Sequence, residues 1–512
     1  MPSKLNILFI VLDTMRRDRL STYGHNRETS PQLDEFARDA VRFDRAVAPA
    51  QWTIPSHASM FTGLYPSTHG LTQADGALAP SYPVVAEHLH RAGYHTVAFC
   101  NNPLVGVLNN GLQRGFDRFY NYASAAPFRP VEARRGKLQQ EALRLFRRHL
   151  ARPIGNQFAH SDFLFRMSLN PVFVPLWTRL INYKGNTAHS IDDLVDYWAR
   201  HQAGGAEQPL FAFLNLMGSH LPYNPPRDVL DRVAPELRQE KQAYPFMRRF
   251  NSEAARWASP TIPPLEDWER ATLNGFYDAE VAHQDAQLGK LFGWLKQSGT
   301  LDNTVVVIVA DHGEGHGDHD FFGHGFVVYQ ELVHVPLIIR HPHHRVNSQP
   351  ITEPISTRRL YHTLLEAAGL QPDEAAPVSE GSLLPLLSGA PDGEQGIVMS
   401  EAFPPLTFLN VIQHRDSALI PKLSLHGVRR GLYHGQHKLA VVDQRVEGLF
   451  DLNNDPMETH NLAAAQPSTV STLQRQLATL VSRAESRRSQ TAAPVVVDDS
   501  VVDHLRALGY IE

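Results

Sequence analysis

Short apolar segments spread along the chain most constrain how this protein can fold. They are rich in Val, Ile, Leu and Phe and do not alternate with polar residues: Ile7–Leu12, Thr96–Phe99, Leu210–Leu216, Val305–Ala310 and Pro336–Ile339. Strands of this kind are covered on both faces, which is typical of parallel sheets. Helical patterns separate them, at Ser30–Ala40, Val84–Ala92 and Tyr277–Gln297. The alternation predicts an α/β fold with a mostly parallel central sheet flanked by helices.

Polar residues follow most of these segments. Asp13 follows the first segment, Asn101 the second and His220 the third. Asp311 and His312 follow the fourth. In open α/β sheets, ligands bind at the carboxyl ends of the strands. Two carboxylates and an imidazole suit Zn²⁺ or Mn²⁺, whereas a calcium site favours oxygen ligands alone. The sequence therefore predicts a metal site that contains Asp13, Asp311 and His312.

The segment Gln51–Gly63 reads QWTIPSHASMFTG. It resembles the signature of the sulfatase branch of the alkaline phosphatase superfamily, in which Cys-x-Pro-Ser-Arg precedes a Thr-Gly pair. Thr53 stands where a sulfatase has the Cys or Ser that is converted to formylglycine, and His57 stands where it has Arg. A threonine cannot be converted to formylglycine. Either Thr53 is itself the nucleophile, which indicates phosphoryl chemistry, or the site is inactive.

Further segments carry the same resemblance. Gly448–Glu458 is similar to the LYDL-x-x-DP-x-E segment near the C-terminus of sulfatase-like proteins, and Leu505–Tyr510 resembles a common ending of that group. The resemblance implies an alkaline-phosphatase-like fold over nearly the whole chain. It covers residues 125–186 least, a basic and then aromatic insertion. This insertion is interpreted either as a solvated helix with a packed lid, or as a cap that binds substrate or touches a membrane surface.

The resemblance also implies a single divalent metal ion, Zn²⁺ or Mn²⁺, held by four residues. These are Asp13, Thr53, Asp311 and His312. A bound cation would lower the pKa of the Thr53 hydroxyl and make it a nucleophile. Thr14 and His312 replace the Asp and Asn of calcium sulfatases. That shifts the similarity towards phosphonate monoester hydrolases, phosphodiesterases, and phosphoglycerol or phosphoethanolamine transferases. A second metal ion stays open, because the loop after His312 is rich in histidine.

Two histidines outside the ligand set are predicted to be catalytic. His220 lies in a Gly-Ser-His-Leu-Pro-Tyr segment that resembles the PHxPY segment of sulfatase-like enzymes. It would lie near the leaving group and act as a general acid; the alternative is a hydrogen-bonded loop histidine. His324 occupies a position where the family often has Lys. Its imidazole would donate to the transferring group, with a full charge only below its pKa.

Three more residues are candidates for substrate binding. Asn101 lies where sulfatases have a Lys and a His that hold sulfate, both of which are missing here. Asp75 lies where related enzymes have Asn. His57 would hydrogen-bond Thr53 or the substrate, but an uncharged His binds an anion less firmly than the fixed fork of Arg. This difference favours a monoanionic diester over a dianionic monoester.

Composition limits the partners and the compartment. The chain has 512 residues, a net charge of −5 and a single cysteine, Cys100. The chain has no excess of positive charge of the kind that indicates nucleic-acid binding. A single cysteine cannot form an internal disulfide, which fits a reducing compartment. The N-terminal apolar run is too short for a signal peptide, and no stretch is long enough for a transmembrane helix. A cytoplasmic protein is therefore expected.

The character of the sequence changes after about Pro385. Residues 1–385 are predicted to form the catalytic domain and residues 386–512 a small α+β subdomain. Gly427–Val442 alternates like antiparallel strands, Gly448–Leu452 forms another short strand, and Ser468–Glu485 forms a helix. A short antiparallel sheet with one helix is therefore expected at the C-terminal end.

The function predicted from these features is that of a metal-dependent hydrolase or transferase. It would act on phosphodiesters or phosphonate monoesters through a covalent phosphothreonine at Thr53. The substrate would be a small-molecule or lipid-like phosphoester, with peripheral membrane contact and a homo-oligomeric state left open. The alternatives are a sulfuric ester hydrolase and a catalytically silent member that binds an anion.

Overall fold

The computed structural model describes residues 4–106, 108–122, 131–132, 184–205, 207–252, 264–344, 349–370, 381–488 and 493–494. The predicted insertion at residues 125–186 lies outside these ranges apart from 131–132 and 184–186. The sulfatase-like ending at residues 505–510 lies outside them as well.

The strands and helices are numbered in chain order. The strands are β1 (Asn6–Leu12), β2 (Val41–Val47), β3 (Gly76–Ala77), β4 (His95–Cys100), β5 (Arg118–Asn121), β6 (Val131–Glu132), β7 (Leu210–Leu216), β8 (Thr304–Val309), β9 (Gly315–His316), β10 (Phe322–Gly323), β11 (His334–Arg340), β12 (Ile355–Ser356), β13 (Val398–Ala402), β14 (Arg429–His434), β15 (His437–Val442), β16 (Arg445–Asp451) and β17 (Ala493–Pro494). The α-helices are α1 (Pro31–Ala37), α2 (Thr53–Thr62), α3 (Pro66–His69), α4 (Val85–Arg91), α5 (Pro103–Gly106), α6 (Thr187–Ala203), α7 (Arg227–Val233), α8 (Ala243–Ser252), α9 (Asp267–Gln297), α10 (Gln330–Val333), α11 (Leu360–Ala367), α12 (Leu384–Leu387), α13 (Leu406–Asp416), α14 (Leu419–Lys422) and α15 (Pro467–Ser486). Short 3₁₀ helices lie at Arg17–Arg19, Ser21–Tyr23, Pro235–Arg238, Thr300–Asn303 and Thr357–Arg359.

A large mixed sheet forms the centre of the molecule. In the described part of the chain its strand order is β12–β2–β11–β8–β1–β7–β4–β5–β6. β1 runs parallel to both β7 and β8, and β4 runs parallel to β7 and β5. β7 and β8 are buried along their whole length, because helices cover the sheet. Helix α9 packs with α1, α6 and α7, whereas α2 packs with α4, α5 and α11. The predicted α/β class is confirmed.

Strand β11 runs against the predicted direction. The apolar run Pro336–Ile339 was expected as another parallel strand, but β11 is antiparallel to both β8 and β2. A strand buried on both faces is apolar whichever way it runs, so its composition does not give its direction. Its register to β2 shifts between Val335 and Leu337. Pro336 lies at this irregularity and has no N–H group to donate to a neighbouring strand.

A second sheet lies near the C-terminal end. It has the order β13–β14–β15–β16, and all its neighbouring strands are antiparallel. Leu432, Leu439 and Leu449 of this sheet cluster with Leu473 and Leu477 of α15. The predicted antiparallel sheet and helix are confirmed, while the domain boundary at residue 385 stays a prediction. None of the described helices is both long enough and apolar enough to cross a membrane.

Candidate active site

The ends of β1 and β8 bring the three predicted metal ligands together. Asp13 follows β1, and its backbone N–H donates to the carbonyl of Leu216 at the end of β7, 2.9 Å away. Asp311 and His312 follow β8 one residue further on. One ligand atom each from Asp13, Asp311 and His312 lies within 4.8 Å of the others. All three side chains are buried. The described residues contain no other group of this kind.

The two carboxylates keep oxygens that the protein does not satisfy. Asp311 Oδ1 accepts from the backbone N–H groups of Thr14 and His312, at 3.3 and 2.9 Å. Asp13 Oδ2 accepts from Asn102 Nδ2 at 2.5 Å. Among the described residues, Asp13 Oδ1 and Asp311 Oδ2 find no hydrogen-bond donor. Burial and the nearby charge of Asp13 raise the pKa of Asp311 well above its usual range. A divalent cation would relieve both effects, so the residues present fit a metal ion.

The ring of His312 is oriented as a metal ligand. Its Nδ1 lies 2.8 Å from the carbonyl oxygen of Gly313, so Nδ1 carries the proton and donates it. Burial lowers the pKa of His312 well below its usual value, which keeps the ring neutral. Nε2 then has a free lone pair, 3.4 Å from Asp311 Oδ2. A histidine held through one nitrogen with the other one free is typical of metal ligands.

Thr53 is the first residue of α2, and its hydroxyl lies beside the ligands. Its Oγ1 is 3.3 Å from His312 Nε2 and 3.5 Å from Asn102 Nδ2. The N-cap residue, Trp52, has no side-chain hydrogen bond to the first turn, so the helix start can receive an anionic oxygen. Ser56 Oγ donates to the carbonyl oxygen of Asp311 at 2.6 Å, which fixes this turn to the end of β8. The predicted set of Asp13, Thr53, Asp311 and His312 thus meets at one point.

His57 lies inside the structure, behind Thr53. Its Nδ1 is 2.9 Å from the carbonyl oxygen of Thr53, and its Nε2 is 3.3 Å from Asn215 Nδ2. The ring is fully buried against Phe61 and Phe213, and burial lowers its pKa. The hydrogen bond to Thr53 therefore goes to its backbone and not to its hydroxyl. That His57 also binds substrate stays a prediction.

The two predicted catalytic histidines adjoin His312. The His324 ring centroid lies 4.6 Å from that of His312 and 5.6 Å from that of His220. His324 Nδ1 is 2.9 Å from Glu314 Oε1. Burial alone would lower the pKa of His324, but the charge and hydrogen bond of Glu314 raise it above its usual value. Burial lowers the pKa of His220, whose Nδ1 donates to the carbonyl oxygen of Leu221 at 2.7 Å.

Two residues of the site were missed by the sequence reasoning. Asn102 contacts both Asp13 and Thr53, whereas its neighbour Asn101 accepts a hydrogen bond from Ser190 Oγ at 2.5 Å. The sequence shows two asparagines after β4 and gives no means of choosing between them. Glu314 pairs with His324, and its position in the Asp-His-Gly-Glu run beside a predicted catalytic histidine is a signal that could have found it.

Asp75 lies at a cavity next to the site and not within the ligand cluster. The cavity has a volume of about 270 Å³ and is lined by Asp75, Trp52, His324 and the first turn of α13. Trp52 directly precedes Thr53, and His324 touches His312. The cavity wall therefore includes neighbours of both Thr53 and His312, and Asp75 is exposed at this wall.

The other histidines of the loop after His312 have protein partners. His316 hydrogen-bonds Tyr223 and Asn274 through its two ring nitrogens, at 3.2 and 3.1 Å. His319 bonds Glu331 at 2.9 Å and stacks on Tyr329. Their contacts are those of loop residues. A second metal ion stays an untested alternative.

An α/β sheet that gathers two buried carboxylates, an imidazole and a hydroxyl at one edge is an arrangement typical of metal-dependent hydrolases. The family model described as Sulfatase matches residues 5–370, and the chain belongs to the sulfatase family. Among curated relatives, an arylsulfatase of Clostridium perfringens is 23% identical over 490 residues, which covers 90% of each chain. Arylsulfatase K of Bos taurus is 25% identical, over 94% of this chain and 82% of its own length.

Solved structures share the fold. A phosphonate monoester hydrolase of Agrobacterium radiobacter is similar with a TM-score of 0.65 and 22% identity, over 94% of this chain and 96% of that one. The phosphonate monoester hydrolase SpPMH of Silicibacter pomeroyi has a TM-score of 0.61 and 23% identity, with the same coverage. These similarities confirm the predicted alkaline-phosphatase-like architecture. They leave the choice between sulfate and phosphoryl substrates to the site itself.

Proposed function

We propose that the protein is a metal-dependent hydrolase of phosphodiesters or phosphonate monoesters, and that Thr53 is its nucleophile. The supporting observation is the Thr53 hydroxyl, which lies 3.3 Å from His312 Nε2 beside two buried carboxylates. A threonine cannot supply the formylglycine on which sulfate-ester hydrolysis in this family depends. Transfer to an acceptor alcohol would use the same chemistry. A small-molecule or lipid-like phosphoester is the proposed substrate class.

The ligand set would be Asp13, Thr53, Asp311 and His312, and Zn²⁺ or Mn²⁺ would suit its mixed oxygen and nitrogen donors. A bound ion would lower the pKa of the Thr53 hydroxyl and balance the buried negative charge. Asn102 donates to Asp13 and lies beside Thr53, so it helps to fix the positions of these two side chains relative to each other. The start of α2 adds N–H groups that favour an anionic oxygen.

The proposed reaction is a double displacement. Thr53 Oγ1 reacts in its deprotonated form, after its proton has passed to solvent. It forms a bond to phosphorus while the bond from phosphorus to the leaving oxygen breaks, and that oxygen takes a proton. His324 is the best donor, because Glu314 favours its charged form. Water then attacks the phosphothreonine, its proton passes to a histidine, and the bond between phosphorus and Thr53 breaks. His220, whose pKa is lowered, is better suited to accept that proton than to donate one.

The charge of the site favours a monoanionic substrate. His57 is neutral and turned to the Thr53 backbone, so it does not supply the fixed charge of the arginine that sulfatases have there. His324, whose charged form Glu314 favours, lies with its ring centroid 4.6 Å from that of His312. A diester or a phosphonate monoester carries one negative charge at phosphorus, which this arrangement can balance.

The test is turnover of four nitrophenyl esters by the metal-loaded protein: phosphodiester, phosphonate monoester, phosphomonoester and sulfate. We expect turnover of the first two, a fall of at least about a thousandfold in Thr53→Ala, and a phosphothreonine that rapid quenching and mass spectrometry detect at residue 53. Thr459→Ala, at an exposed threonine of the C-terminal region, is the matched control and should keep wild-type activity. Phosphodiester turnover that survives in Thr53→Ala would contradict the proposal.

Sulfuric ester hydrolysis is the second candidate, because curated relatives with full-length similarity are sulfatases. Turnover of the nitrophenyl sulfate alone would establish it and overturn the phosphoryl assignment. A protein that binds no divalent metal and cleaves none of the four esters would be the catalytically silent member of the family.

A further inference from the structure

The cavity beside Thr53 is built from two parts of the chain. One wall is the segment that contains Gln73 and Asp75, with Trp52 beside it, and the other is the first turn of α13. Phe408 of that turn packs on Gly325, the residue after His324, where an added Cβ would lie 3.2 Å from the Phe408 ring. The cavity therefore begins at the catalytic His324 and leads outwards between the two segments.

Amide side chains hold these walls in place. Gln73 donates from Nε2 to the carbonyl of Pro404 at 3.0 Å and accepts the backbone N–H of Leu406 at 3.1 Å. Gln51 donates from Nε2 to the carbonyls of Gly325 and Phe403, at 2.8 and 3.2 Å. Because both amides are engaged with the backbone, the cavity is a fixed feature of the fold, and Gln73 does not serve as a recognition group.

The remaining lining combines apolar groups with one carboxylate. Trp52, Leu406 and Phe408 are large apolar residues of the lining, and Leu406 is 55% exposed. Asp75 lies in the same lining, and within the described residues it makes no ion pair at 4.0 Å or less. Asp75 is exposed, so it needs no partner in the absence of substrate, but it would repel an anionic group in the cavity and gain nothing from a neutral one. An ammonium group would pair with it and would also be attracted to the aromatic rings.

We propose that this cavity binds an ammonium-bearing ester group of the substrate, with Asp75 as its counter-ion and Trp52 and Phe408 as its apolar walls. The inference rests on the proposed function, because it concerns one of the two organic groups of a phosphodiester whose phosphorus lies at Thr53. A volume of about 270 Å³ is large enough for a small aminoalkyl or trimethylammonium group.

The test compares three 4-nitrophenyl phosphodiesters whose second ester group is choline, its neutral carbon isostere 3,3-dimethylbutanol, or 4-hydroxybutanoate. Chromatography of both released alcohols counts cleavage of either ester bond. For the wild-type protein we expect kcat/KM to fall from the cationic to the neutral to the anionic ester, by about five- to tenfold at each step. In Asp75→Asn the ratio of cationic to neutral ester should fall towards one, and in Asp75→Lys the order should invert.

Asp302→Asn is the matched control, because this exposed aspartate precedes β8 at the opposite edge of the sheet from the site. It should keep the wild-type ratios. Equal kcat/KM for the three esters in the wild-type protein would overturn the inference and leave the proposed function standing. If none of these diesters is cleaved and the nitrophenyl phosphonate is not cleaved either, the proposed function fails. Calorimetric binding of the choline ester against its neutral isostere, in wild type and Asp75→Asn, then still decides the role of Asp75.

Discussion

At the scale of single residues, the site contains two carboxylates, Asp13 and Asp311, and beside them a carboxylate–histidine pair that can hold a proton. Asp13 and Asp311 are buried, and among the described residues one oxygen of each has no hydrogen-bond donor. Glu314 and His324 form a buried ion pair next to them, with 2.9 Å between Oε1 and Nδ1. Burial disfavours each charge of this pair, but each partner shifts the pKa of the other towards the charged form. The pair therefore keeps a proton near the reacting group.

Glu314→Gln tests this role of the pair. The raised pKa of His324 means that its cationic form persists to higher pH than in a free histidine, and the substitution removes the charge that raises it. We expect the alkaline limb of the kcat profile to move to lower pH and kcat near neutrality to fall by about ten- to a hundredfold. The measurement is kcat against pH on the best ester. Glu353→Gln, at an exposed glutamate, is the control, and an unshifted limb would contradict the assignment.

The site residues that the sequence identified were those that a shared pattern supports. Each of Asp13, Asp311 and His312 is a weak signal alone; they were predicted together because all three follow strands, in the order that the resemblance to the sulfatase branch implies. Asn102 and Glu314 were missed, since their role depends on which way a side chain turns after its strand. For Asn101 and Asn102 that choice is decided by a tertiary contact to Ser190, which sequence does not reveal.

At the scale of elements, the long helix α9 supports the site from one side of the sheet. Its Tyr277 hydroxyl donates to the carbonyl of Thr14, next to Asp13, at 2.7 Å, and accepts the backbone N–H of Arg16 at 2.8 Å. The next residue of the helix, buried Asp278, pairs with Arg19 and Arg27 from the segment after β1. The helix thereby fixes the loop that begins at Asp13, a proposed metal ligand.

Asp278→Ala tests that support. Burial would raise the pKa of Asp278, but the bond to His25 and the charges of Arg19 and Arg27 lower it, so its stabilising effect is present above pH 4 or so and is lost on acidification. Removing the carboxylate leaves two arginines without their buried partner. We expect a loss of about 3–5 kcal/mol in the free energy of unfolding, measured by urea titration.

The control for this substitution is Asp267→Ala, at an exposed first-turn position of the same helix, which should lose only a few tenths of a kcal/mol. Stability curves of wild type and Asp278→Ala should also converge as the pH falls towards 3. A loss below about 1 kcal/mol at pH 7 would show that solvation of the two arginines replaces their pairing with Asp278 at little cost.

Helix α9 also shows that the sequence pattern did not predict the start of a helix correctly. The predicted helix began at Tyr277, whereas α9 begins at Asp267. Its start is set by a capping arrangement in which the Glu269 side chain accepts the backbone N–H of Glu266. The added turns are only partly buried. The first turn, from Asp267, is exposed or half-buried, and the start of such a turn is identified from its cap. The direction of β11 was missed for a related reason, since burial alone does not encode orientation.

At the scale of the whole molecule, the two sheets are joined a few residues before Thr53, the proposed nucleophile. The segment between β2 and α2 joins the second sheet, because Glu401 of β13 donates its backbone N–H to the carbonyl of Pro49 at 2.9 Å. The Glu401 carboxylate accepts the N–H of Ser67 and the guanidinium of Arg430, at 2.9 and 2.8 Å. The resemblance at Gly448–Glu458 predicted that the C-terminal region belongs to the same architecture. It did not predict that this region anchors the chain just before Thr53 and supplies a wall of the adjoining cavity.

The stability of the whole molecule should therefore depend on its metal ion. The folded state gathers Asp13 and Asp311 with His312, while the unfolded chain has no such site, so Zn²⁺ or Mn²⁺ at a hundred times its Kd should add about 2.7 kcal/mol. We expect the melting temperature to fall with EDTA and to rise again with added metal. Asp311→Asn should abolish this response.

The same substitution provides a sharper test without metal. The raised pKa of Asp311 means that its folded-state charge is unfavourable above the unfolded value, so in EDTA the wild-type protein should lose stability as the pH rises. Asp311→Asn removes one of two adjacent buried carboxylates. In EDTA at pH 7 to 8 we expect it to melt at a higher temperature than wild type, and with metal at a lower one. Melting temperatures that rank in the same order in both conditions would show that these carboxylates do not form a metal site.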